Sequence, residues 1–164
     1  MHLDDLNTLP EDRAVAALLR CCGSMRWARR MAAARPFASF DAMMATADAV
    51  SVSLEAEDWL EAFRAHPRIG SAGGSAASET WSEQEQAGVR FADTAVRDRL
   101  AEANRHYEAR FGYIFIVCAT GRSAAGMLAT LEQRLANDPD TELRTASEEQ
   151  RKITRLRIEK LLTS

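Results

Sequence analysis

The segment FGYIFIVCATG, Phe111 to Gly121, limits most what this chain can fold into. Aromatic and β-branched residues crowd it and a glycine closes it, so propensity alone reads it as a buried strand. A strand needs a partner for its backbone N–H and C=O groups. The rest of the chain offers none, because elsewhere apolar residues recur at the three-and-four spacing of helices. Either the segment pairs edge to edge with another copy, or packing overrides propensity and makes it a short buried helix or an extended piece of core. The second outcome is the expectation.

The helical remainder divides at recognisable stops. Thr8 is read as the cap of a first helix whose first turn holds Leu9 and Pro10, followed by acidic Glu11 and Asp12 and the apolar run AVAALL, and which ends at Gly23. Ser24 opens MRWARRMAAA, which Arg35 and Pro36 terminate, since a residue before proline avoids the helical region. A third helix starts near Ser39 and places Phe40, Met43, Met44 and Ala47 on one face. A fourth follows Ser53, with Ala56, Trp59, Leu60 and Phe63 inward and Glu55, Asp58 and Glu61 off that face. Ser82 is expected to start a long helix reaching Arg110, Ser123 to cap another, and a last helix to run from about Asp140 to Leu162. Between the fourth and fifth, SAGGSAASET has no apolar period and reads as a mobile loop. No repeat and no long linker divides the chain, so 1–164 is expected to be a single domain.

Bulk properties narrow the class without naming a function. A formal charge of -3 and a pI near 5.7 argue against nucleic acid as a partner. The locally basic RKITRLRIEK interleaves its charges with Ile153, Leu156, Ile158 and Leu161, the pattern of a buried helical stripe. Cys21, Cys22 and Cys118 lack metal-ligand spacing and are expected to be reduced, buried thiols. With no signal-peptide pattern and no apolar run approaching about 18 residues, the expectation is a soluble cytoplasmic protein without a membrane partner.

Two groupings can carry chemistry. His66, in HPRIG, stands where a helix stops before a proline; there it serves either as general acid or base, or as a cation at the helix C-terminus. In SEQEQ, Ser82 and Glu85 have the spacing of a capping box, which is one sufficient reading. The other is that a first helical turn, with Gln86 adding an amide, receives an anionic ligand. His106 has only Glu102 one turn away, a surface pair rather than a metal site. Phosphate loops, nucleophile elbows and paired CxxC motifs are absent.

In order, HPRIG, S-x-x-EQAGV, N-x-x-Y-x-x-RFGYIFIVCATG, RL-x-ND with EL, and KITRLRIEKL resemble one family over nearly the whole chain. It is the 2-oxo-4-hydroxy-4-carboxy-5-ureidoimidazoline (OHCU) decarboxylases of urate degradation. The resemblance implies an all-α fold, one compact domain of about seven to nine packed helices, commonly a homodimer, with no metal and no organic cofactor. It implies that His66 and Glu85 are catalytic and that Pro67, Ser82, Gln86 and Arg157 bind substrate. The backbone of Phe115, Ile116, Val117, Cys118 and Ala119 would line the pocket. Glu83 and Gln84 lie in the same motif, although the S-x-x-E-Q spacing selects Glu85 and Gln86.

The implied chemistry suits these residue types. The substrate carries carboxylate and hydroxyl on one ring carbon beside a C=N bond that can accept the electron pair left by CO2, so no cofactor sink is required. The Gly/Ser loop is expected to close over it as a lid. Two rivals stay open: a non-catalytic helical interaction module, and the same scaffold acting on another hydantoin or ureido acid.

Overall fold

The computed structural model describes residues 1–69, 81, 82, 84–90 and 92–163, which form helices and, among the described residues, no strand. The helices are α1 (Leu3–Thr8), α2 (Glu11–Leu19), α3 (Met25–Ala33), α4 (Phe40–Val52), α5 (Ala56–Arg64), α6 (Ala87–Arg90), α7 (Thr94–Phe111), α8 (Ala124–Arg134) and α9 (Pro139–Thr163). Contacts group them into two compact units, Met1–Ala62 with Gln150–Ser164, and Phe63–Glu149. The SAGGSAASET loop lies outside the described residues, as does Glu83.

In the first unit, local capping sets most helix starts. Ser24 Oγ accepts from the Trp27 amide (3.3 Å) and Ser39 Oγ from that of Ala42 (3.1 Å), as expected. Thr8 is not a cap. It ends α1, its hydroxyl donating to the Asp4 and Asp5 carbonyls, while Pro10 is the N-cap residue of α2. Proline has no side-chain oxygen to accept from the first helical amides, so α2 starts without a side-chain cap. Ser53 proves to be the C-cap of α4, and Asp58 Oδ2 accepts from the Glu55 amide (2.9 Å) just before α5. That bond, with an Arg26 ion pair at 3.3 Å, explains why Asp58 is buried although its spacing placed it outward.

The core of this unit gathers Leu6, Leu18, Trp27, Met31, Met43 and Ile158. Burying each such side chain contributes about 1.5–3 kcal/mol. Phe40, expected on the inner face of α4, is exposed, because it occupies the first turn. The basic C-terminal stretch behaves as a packed stripe: Ile153, Ile158 and Leu161 are buried, while Arg151 and Arg155 turn to Asp48 on α4 (3.4 and 2.7 Å). Cys21 and Cys22 are buried free thiols; Cys118, in the second unit, is half-buried.

In the second unit the long helix expected from Ser82 to Arg110 is broken. Trp81, Ser82, Gln84 and Glu85 are helical, α6 is a single turn, and Asp93 caps α7 by accepting from the Ala95 amide (3.0 Å). Gly112, at φ +82°, ends α7 in the left-handed conformation that glycine adopts without steric cost. The strand-like segment then runs through the core as neither helix nor strand, with Phe115, Ile116, Val117 and Ala119 buried. Packing has overridden propensity, and two of its backbone groups find side-chain partners instead of a ladder.

Candidate active site

His66 stands two residues past the end of α5, its amide donating to the Phe63 carbonyl (3.1 Å) in a closing turn. Both sides of it are fastened. The Phe63 ring lies 5.2 Å from that of Tyr113, at the entrance to the core segment. Arg68 grips Glu108 of α7 through two nitrogens (3.0 and 2.6 Å). A planar guanidinium–carboxylate pair fixes orientation as well as distance. His66 and Pro67 between these anchors are half-buried.

Ser82 and Glu85 are buried, whereas Gln84 is exposed and Gln86 half-buried. Trp81 is already helical, so Ser82 is inside the turn and is not an N-cap residue. The capping-box reading therefore fails, and the burial of both polar side chains asks for another reason. The amide of Gln86 donates to the Ser82 carbonyl (3.0 Å), which holds the motif in one helical turn.

Gly88 joins this turn to the core segment. A Cβ at Gly88 would collide with the Arg122 carbonyl oxygen, so only glycine lets α6 approach the Gly121–Ser123 turn this closely. The helix that follows the Ser82–Gln86 motif is thus held against the chain leaving Phe115–Ala119. Ser123 opens α8 as expected, accepting from the Gly126 amide (3.0 Å).

Sequence reasoning missed how the core segment is held. Arg134 Nη1 donates to the Ile116 carbonyl (2.7 Å), and Glu149 Oε2 accepts from the Cys118 amide (2.7 Å). Arg134 Nε also donates to Glu142 Oε1 (2.8 Å), while Asn137 reaches Glu142 Oε2 (2.9 Å) and the Tyr107 hydroxyl donates to Glu142 as well. Burial, reinforced by the hydrogen bond to this carboxylate, raises the Tyr107 phenol well above its ordinary range. Burial likewise raises Tyr113. The only signal in the sequence was the RL-x-ND and EL block, which contains Arg134, Asn137 and Glu142 without revealing whom they meet.

Arg157 belongs to the first unit, where it is buried and Nη1 lies 3.4 Å from the Arg20 carbonyl at the C-terminus of α2. Among the described residues no group of three or more His, Cys, Asp or Glu side chains is placed to hold a metal, and His106 is exposed. What the second unit offers is a histidine at a fixed helix end, two buried polar residues on one turn, and an anchored backbone. Such a set suits proton transfer on a small polar molecule.

A family model described as OHCU decarboxylase matches residues 7–159. The uric acid degradation bifunctional protein TTL of Arabidopsis thaliana is 41% identical over 148 residues, 87% of this chain and 45% of that protein. The chain therefore spans less than half of that relative's length. The 2-oxo-4-hydroxy-4-carboxy-5-ureidoimidazoline decarboxylase of Amia calva is 31% identical, over 78% of this chain and 75% of that one. A crystal structure of OHCU decarboxylase in the presence of (S)-allantoin covers 89% of this chain and 96% of that one, at 38% identity and TM-score 0.78.

Proposed function

Since the chain belongs to the OHCU decarboxylase family, we propose that it is a carboxy-lyase converting OHCU to (S)-allantoin at the end of the urate-to-allantoin conversion of purine catabolism. The observation that carries this is the likeness to a solved OHCU decarboxylase over 96% of that chain. The match across 7–159 also supports taking 1–164 as one domain.

The reaction breaks the bond between the ring carbon and its carboxylate. As CO2 leaves, its electron pair forms a C=C bond to the neighbouring carbon and the C=N pair passes to the ring nitrogen, which takes up a proton, giving an enol-like intermediate. A proton returned to the neighbouring carbon, with loss of the hydroxyl proton, then yields the carbonyl and C–H of allantoin. His66 is the group that moves these protons, and delivery from one side sets the (S) configuration. Glu85 orients the ring and ureido N–H groups by accepting hydrogen bonds. Ser82 and Gln86 hold the remaining polar edge beside Pro67, and Arg157 pairs with planar oxygens. The anchored Phe115–Ala119 backbone lines the pocket. A tight clamp on the leaving carboxylate would stabilise the ground state and slow the reaction, so the polar contacts belong mainly on the ring and ureido edges.

No described helix is long and apolar enough to cross a membrane. A cytoplasmic homodimer completes the proposal; light scattering giving the mass of one chain would remove its dimeric part. To test the reaction, OHCU is generated from urate with urate oxidase and hydroxyisourate hydrolase, and followed by absorbance and circular dichroism. The protein should hasten loss of OHCU with rising optical activity, and folded His66→Ala should be slower by about 10²–10⁴-fold. Wild type no faster than the spontaneous reaction would remove the assignment.

A further inference from the structure

The core segment has no ladder to fix its register. In a sheet, repeated backbone pairs and a buried face hold each residue in place. Here Phe115–Ala119 runs between helices as neither helix nor strand, and two charged side chains grip backbone groups two residues apart. Arg134, at the end of α8, takes the Ile116 carbonyl, and Glu149, on α9, takes the Cys118 amide.

Both side chains are buried, at 6% and 7% exposure. Burying a charge costs several kcal/mol before its partners compensate. A serine, threonine or glutamine would satisfy an isolated carbonyl or amide at lower desolvation cost. The charged version supplies short, strongly directed hydrogen bonds from groups that are themselves held: Glu142 fixes Arg134, and Asn137 and Tyr107 fix Glu142. The Arg134 guanidinium also lies over the Phe115 ring at 4.6 Å, so it fixes a side chain of the segment as well as its backbone. On the other side, the chain leaving the segment meets α6 at Gly88, with no room for a Cβ. A shift of the segment along its own axis would therefore move the backbone relative to Ser82 and Glu85.

We propose that Arg134 and Glu149 are positioning residues for the decarboxylation, setting the backbone that lines the pocket without touching substrate. This rests on the function proposed above. Misplacement of a binding surface by about 1 Å can cost 10²-fold in rate, so loss of either anchor should be read in kinetics well below the melting temperature.

The test compares wild type with Glu149→Ala, Glu149→Gln and Arg134→Lys in the OHCU assay, each about 15 °C below its own melting temperature. Glutamine keeps an oxygen that can accept the Cys118 amide; alanine does not. Lysine keeps a cation for Glu142 but lacks the fork that also reaches Ile116. Glu149→Ala and Arg134→Lys should lose about 10- to 100-fold in kcat/KM, and Glu149→Gln should stay within about threefold. An active wild type with Glu149→Ala and Arg134→Lys unchanged overturns the inference alone, as does equal loss in Glu149→Ala and Glu149→Gln. An inactive wild type overturns the function reading and takes the inference with it.

Discussion

At the scale of single residues, burial decides what the cysteines can do. Desolvation pushes the Cys21 thiol up to about 12 and the Cys22 thiol up to about 11, with nearby Arg157 pulling the other way in both cases. Thiolate is the reactive form, so these two are inert in the folded protein. Cys118 is half-buried. A thiol reagent at pH 8 should label Cys118 alone in the native protein, with the other two following only in urea; native labelling of all three would contradict this. The same shifts set a sign for stability. The native thiols keep their protons while unfolded thiols ionise above about 9, so this contribution is full below pH 9 and is lost as pH rises through about 11 to 12. The fall in urea midpoint between pH 8 and pH 10 should be smaller in Cys21→Ala/Cys22→Ala than in wild type. An equal fall would mean that other groups govern the alkaline limb.

At the scale of elements, what the sequence disclosed was what is local. Ser24, Ser39 and Ser123 cap their helices because a cap needs only a side-chain oxygen and an amide two or three residues on. Thr8 has the right chemistry in the wrong place: a first short helix, Leu3–Thr8, ends on it. Ser24→Ala should therefore cost about 1 kcal/mol in urea unfolding, and Thr8→Ala less than about 0.5 kcal/mol. Equal losses would restore Thr8 as a cap. The break between Glu85 and Thr94 was also written locally, as Asp93 before Thr94, yet the apolar spacing on either side concealed it. Gly88 could not be interpreted from its neighbours, because what excludes a Cβ there is the carbonyl of Arg122, far along the chain. Of the site, the residue types of His66, Ser82, Glu85 and Gln86 were legible through the ordered motifs. Their burial, and the failure of the capping box, required the fold.

At the scale of the whole molecule, the network around Glu142 was least legible and holds a buried charge that bears directly on stability. Arg134, Asn137 and Tyr107 converge on a carboxylate with 0% exposure, from positions whose spacing gives no sign of a meeting. Total stability of a domain is about 5–15 kcal/mol, so one uncompensated buried charge removes a large part of it. Arg134→Met leaves the buried Glu142 carboxyl without its cation and should cost about 3–5 kcal/mol. Adding Glu142→Gln removes that charge; its one oxygen can still accept from Tyr107, while its NH2 takes the place of the oxygen that accepted from Asn137, whose side-chain amide must turn to present its own oxygen. Arg134→Met/Glu142→Gln should consequently be more stable than Arg134→Met alone by about 1 kcal/mol or more, even though two native groups are now missing. Urea unfolding of the two single variants and the double variant measures that coupling. A double variant no more stable than Arg134→Met would mean that Arg134 matters through its hold on Ile116 and Phe115 rather than by neutralising Glu142. Either way the Ile116 carbonyl is left without its guanidinium, so regained stability should not bring back full activity.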